Sequence, residues 1–86
     1  MRIFQIELIE VKAAFYERDY SIKINFNDGS ERIVDFKPFL SKSLHPSIRK
    51  YLNLELFKKF QIIDGNLIWN DYDLIFPIED LYTGKI

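Results

Sequence analysis

Residues 20–36 read YSIKINFNDGSERIVDF, and the loop assigned to NDGS decides how the rest of the chain must pack. Tyr20, Ile22, Ile24 and Phe26 alternate with Ser21, Lys23 and Asn25, the period of a half-buried strand. A two-residue loop at Asp28 and Gly29 sets Ile22 against Asp35. A three-residue loop with Gly29 in the left-handed region sets Ile22 against Val34 and Tyr20 against Phe36. Only the second register leaves one apolar face, so the stretch is read as a hairpin with a bulged three-residue turn.

Upstream, Ile9, Val11, Ala13 and Phe15 alternate with Glu10, Lys12 and Ala14. A four-residue loop over Tyr16 to Asp19 pairs Phe15 with Tyr20, Ala13 with Ile22, Val11 with Ile24 and Ile9 with Phe26, every pair apolar. The apolar phase shifts between Phe4, Ile6, Leu8 and Ile9, Val11, which predicts a bulge near Leu8 in a long, kinked strand. Downstream, Pro46 suits a first helical turn, with Ile48, Tyr51 and Leu52 on one face. Asn53 ends that helix and caps a second turn holding Leu54 and Phe57. The Asp64-Gly65 pair then closes a third hairpin in which Phe60 faces Trp69 and Ile62 faces Leu67. The tail extends from Tyr72 to Phe76 and ends in a helical turn from Pro77. The fold class is therefore α+β in a single domain over residues 1–86: mainly an antiparallel sheet of hairpins, with a short helical segment between the third and fourth strands and a C-terminal helical turn. The three hairpins are expected to share one apolar layer.

With 86 residues the chain can bury only about three-fifths of its unfolded surface. Eight Phe, five Tyr and one Trp make an efficient core, and are numerous enough that some are expected at an interface. There is no cysteine, which excludes disulfides and thiolate chemistry and suits a reducing compartment. Gln5, Glu7 and Glu10 interrupt any apolar signal core, so a cytoplasmic location without membrane contact is expected. The net charge of -1 is unevenly spread: residues 37–60 hold six basic side chains against Glu55 alone, whereas 61–86 hold five acids against Lys85. Such segregation serves either a partner or the chain's own acidic end.

The ordered set FNDGSERIVDFKPFL, LNLELFKKFQI, IW and DLIFPIEDLY resembles the domain-of-unknown-function family 2442, small bacterial α+β domains, from about Val11 to Tyr82. The matching residues are Gly29, the Val34-Asp35 pair, Phe57, Trp69, the Asp73-Leu74 pair and the Leu81-Tyr82 pair. The chain lacks the family's usual glycine soon after the tryptophan and has a longer spacing from Asp73 to Leu81. The resemblance implies no agreed catalytic residues. Some relatives look joined to a helix-turn-helix, which is not seen here, and some are encoded beside another small protein in arrangements similar to toxin and antitoxin pairs.

Candidate chemistry is sparse. Asp71, Asp73, Glu79 and Asp80 fail a calcium-loop register, since Ile75, Phe76 and Tyr82 stand where an oxygen ligand, a glycine and a glutamate are needed. They have structural uses instead: Asp73 accepting turn amides, Glu79 and Asp80 at the positive end of the last helix. His45 is the sole histidine and precedes Pro46, and the three glycines are too dispersed for a phosphate loop. No catalytic or metal residue, no cofactor and no enzyme activity are expected. Lys42, Arg49, Lys50, Lys58 and Lys59, with Tyr51 among them, form the candidate partner-binding set. The preferred function is a noncatalytic protein-interaction module that self-associates or takes a neighbouring-gene protein. The alternative is a nucleic-acid-binding or antitoxin-like regulator using the basic 37–60 segment.

Overall fold

The computed structural model describes residues 8–86. Two three-stranded antiparallel sheets, with strands in sequential order, pack around one core: β1 (Val11–Arg18), β2 (Ser21–Phe26) and β3 (Glu31–Asp35), then β4 (Phe60–Ile63), β5 (Asn66–Trp69) and β6 (Leu74–Ile75). Between the sheets lie the short helices α1 (Lys37–Lys42), α2 (Pro46–Arg49), continued by a 3-10 turn over Lys50–Leu52, and α3 (Leu54–Phe57); α4 (Ile78–Thr83) closes the chain. The hairpins share one apolar core, as expected, but divide between two sheets instead of forming one. The helical run from Lys37 to Phe57 intervenes in the chain between the third strand and the fourth.

The β2–β3 hairpin has the expected register, with Ile22 opposite Val34. Gly29 lies at φ +90°, and Phe26 bonds across the three-residue loop to the Ser30 carbonyl at 2.9 Å. The β4–β5 hairpin likewise pairs Phe60 with Trp69 and Ile62 with Leu67, through Asp64 at φ 52° and Gly65 at φ 78°. Both positive angles match a type I′ turn, whose twist suits the flanking strands.

The first hairpin departs from its expected register. Its loop is only Asp19 and Tyr20, both left-handed at φ 49° and 67°, and Tyr16 faces Ile22 while Phe15 faces Lys23. Register irregularities at Lys12 and Glu17 let Val11 meet Phe26 with Ala14 and Tyr16 on the inner face. Packing selects this arrangement. The Tyr16 and Tyr20 rings both sit edge-on to Phe57, with centroids 6.2 and 5.3 Å away, and the Tyr20 hydroxyl donates to the Leu52 carbonyl. These contacts offset the strain of a left-handed tyrosine. Phe15 is left on the outer face. The bulge falls at Lys12; the part of that expectation that involves Phe4 and Ile6 lies outside the described residues.

Two further details were not expected, and one was. Helix α1 forms because Pro38 fits its first turn and Asp35 Oδ1 accepts the Lys37 N–H at 3.0 Å. The extended tail shrinks to Leu74–Ile75, since Asn70, Asp71 and Tyr72 turn through three successive left-handed conformations, φ 47°, 55° and 69°. And α4 begins after Pro77, carries Glu79 and Asp80 in its first turn as expected, and stops at left-handed Gly84.

Asn53 caps α3 through Oδ1, which accepts from the amides of Glu55 and Leu56 at 3.0 and 3.4 Å. Replacing it with alanine removes the acceptor for two helix-end amides, so Asn53→Ala should cost about 1 kcal/mol, measured as the midpoint shift in urea unfolding. An unchanged midpoint would mean that water replaces the cap.

Candidate functional site: two exposed surfaces and a pinned basic segment

The inner faces of both sheets are buried, and Trp69 occupies the junction. Its ring approaches those of Phe36, Phe57, Phe76 and Phe60 at 5.6, 5.6, 5.9 and 6.1 Å between centroids, and its indole N–H donates to the Phe57 carbonyl at 2.7 Å. Leu81 is also fully buried. Gly29, Phe57, Trp69 and Leu81 from the sequence motif are therefore turn and core residues, and Asp35 is the acceptor that starts α1. Tyr82 pins α4 to the β2–β3 turn: its hydroxyl donates to Asp28 Oδ2 at 2.7 Å, its carbonyl accepts Arg32 Nε at 2.8 Å, and the Arg32 guanidinium lies 4.7 Å from its ring centroid.

The basic segment is largely engaged within the chain. Lys50 Nζ lies 2.7 Å from Asp73 Oδ2, which also accepts the Tyr51 hydroxyl at 2.9 Å. Asp73 thus bonds to the helical segment, where the sequence suggested the amides of its own turn. Tyr51 is buried, with only its hydroxyl directed to this carboxylate. Arg49 Nη1 donates to the carbonyls of Ser41 and Ser43 at 2.8 and 3.3 Å, and Lys58 Nζ sits 4.8 Å from the Tyr16 ring centroid. Lys42 and Lys59 are exposed. The six residues do not converge on one site.

These contacts shift titrations. The Lys50 ammonium, then the Tyr51 hydroxyl, hold the Asp73 carboxyl below its ordinary value; the Tyr82 hydroxyl, then the Ser30 amide, do the same for Asp28. Burial, reinforced by Asp73, pushes the Tyr51 phenol up to about 12. A depressed carboxylate stabilises the fold above its unfolded pKa and ceases to do so as pH falls through the folded value. Stability should therefore fall below about pH 4, and Asp73→Asn and Asp28→Asn should each flatten that limb of a melting-temperature profile. For Tyr51 the sign reverses. Its contribution is complete below about pH 10 and disappears as pH rises toward 12. An acid limb unchanged in both Asn variants would contradict the assignment.

Two surfaces sequence reasoning did not locate are open. On the outer face of the first sheet, Phe15, Lys23 and Ile33 form one row across all three strands, with Phe15 51% and Ile33 65% exposed. Lys23 stands between them, 5.7 Å from the Phe15 ring centroid and 3.6 Å from Glu31. Beside the row a 410 Å³ concavity includes Lys12, Asn25 and Glu31, and the buried Asn25 Oδ1 has no hydrogen-bond partner. The β2–β3 register read from sequence already set Ile33 beside Lys23 on the outer face; Phe15 joins them only in the observed β1–β2 register. The second surface is a 360 Å³ groove between α1 and α2. Among the described residues no three His, Asp or Glu side chains group as metal ligands, and no helix is long and apolar enough to cross a membrane.

A family model described as "Protein of unknown function (DUF2442)" matches residues 11–86, nearly the whole chain. The chain belongs to the DUF2442 family. In this DUF2442 member the residues carrying the resemblance are mainly those that build the turns, core and helix pins. No curated protein and no solved structure matches the chain.

Proposed function

We propose that the chain is a noncatalytic, cytoplasmic protein-interaction module of bacterial type, and that it receives a protein partner on the outer face of its first sheet. The exposed Phe15–Lys23–Ile33 row carries this reading. Two large apolar side chains on an exposed sheet face, with a charge between them, have the make-up of an interface centre with a polar surround. The nucleic-acid alternative has less support, because Arg49, Lys50 and Lys58 already have partners within the chain.

Affinity capture from the native cell, comparing wild type with Phe15→Ser/Ile33→Ser, tests the proposal. A protein retained by wild type and lost by the double variant, at unchanged melting temperature, supports it. Equal retention by both, or no capture by wild type, sinks it. A labelled duplex bound at low salt with better than high-micromolar affinity would favour the nucleic-acid alternative instead.

A further inference from the structure

The groove between α1 and α2 is floored by Phe39, Ile48 and Ile86 and rimmed by Lys42 and His45, with Leu44 beside it 90% exposed. Its 360 Å³ is at the small end of the range for binding pockets, room for one or two side chains and too little for a large cofactor. Residues 36–54, which supply nearly all of it, contain no acid. The suited occupant is therefore an apolar or aromatic side chain with a neighbouring carboxylate.

The chain displays such a group. At the turn over Asn70–Tyr72, Asp71 and Tyr72 are both exposed, Tyr72 to 46%, on a backbone that is left-handed at three residues in succession. The next residue, Asp73, is bonded to Lys50 and Tyr51, which follow α2, the helix that gives Ile48 to the groove. The tip therefore lies against the 3-10 turn that follows α2. In a two-fold pairing each protomer gives a tip and receives one, so the contact closes as a dimer instead of propagating.

We propose that a second copy of this chain occupies the groove, with Tyr72 of one protomer seated over Phe39 and Ile48 of its partner and Asp71 meeting Lys42 and His45. This uses a surface separate from the outer sheet face and extends the interaction-module reading to self-association.

Sedimentation across a concentration series tests it. Wild type should dimerise, more weakly at high salt. Tyr72→Ser should raise the dimer Kd about thirtyfold, as expected for a central aromatic anchor. Lys42→Glu and Asp71→Lys should each weaken the dimer several-fold, and the double swap should regain most of the loss. Backbone strain from a lysine at position 71 is common to the single and double variants and cancels between them. A photocrosslinker in place of Tyr72 should link protomers through the groove, giving a readout that does not depend on fold stability. A wild type that stays monomeric, a dimer indifferent to Tyr72→Ser, or a double swap without recovery would overturn the inference. A dimer that survives Tyr72→Ser but falls to Phe15→Ser/Ile33→Ser would also overturn it, while leaving the sheet-face proposal standing; a partner lost by the sheet-face variant alongside an intact tip-and-groove dimer would support both.

Discussion

Trp69→Ala should remove a large part of the domain's stability at 25 °C. Truncating a fully buried tryptophan typically costs about 3–5 kcal/mol through lost burial and an unfilled cavity, and a domain of this size has only about 4–13 kcal/mol in all. Here the loss is compounded by position. Trp69 belongs to the second sheet, yet its ring contacts Phe36 at the end of the first sheet and Phe57 at the end of α3. Its removal therefore loosens both layers and the helical connection together. The indole N–H adds a separable contribution, because the Phe57 carbonyl lies at the C-terminal end of α3, where helix carbonyls lack intrahelical donors. Trp69→Phe keeps an aromatic ring but removes that donor, and should cost about 1–3 kcal/mol beyond its volume change. Far-UV circular dichroism with urea gives both values. If Trp69→Ala unfolds within about 1 kcal/mol of wild type, the ring is not the junction of the two layers.

The parts of this fold legible in sequence were those where glycine fixed a turn. Gly29 and Gly65 each selected one register for their hairpins, and Asn53 marked the cap of α3. The first hairpin has no glycine in its turn. Asp19 and Tyr20 take left-handed angles that local preference disfavours, and they hold them because Tyr20 packs on Phe57, 37 residues later in the chain. Alternation alone could not choose between Phe15 and Tyr16 as the inward ring, since both strand phases offer an aromatic. The basic segment shows the same limit for function. Its composition suggested a binding face, but whether Lys50 is available depends on a carboxylate 23 residues away, and a carboxylate in a turn has local uses that conceal the distant one. The open surfaces were illegible for that reason: exposure is what remains after long-range packing is complete.

Gly65→Ala should destabilise the domain by about 2 kcal/mol or more, through two effects that a second glycine separates. Gly65 lies at φ +78°, where a side chain is disfavoured by about 1–2 kcal/mol. A Cβ added there would also stand 2.8 Å from the Glu10 Cβ, too close without backbone movement. That approach is structural in origin, because the Gly65 carbonyl accepts the Val11 N–H at 2.8 Å and joins the start of β1 to the β4–β5 turn. Overpacking of this kind adds about 1–3 kcal/mol. Gly29, at φ +90°, has nothing within 4 Å of its would-be Cβ, so Gly29→Ala should carry the conformational penalty alone. The difference between the two variants, read from urea midpoints, measures the close approach. A Glu10→Gly background should recover much of that difference, because it removes the side-chain carbons that the added methyl group would meet. Equal costs at positions 29 and 65 would show that the first strand yields freely, and that the Val11–Gly65 hydrogen bond does not hold the two sheets in register.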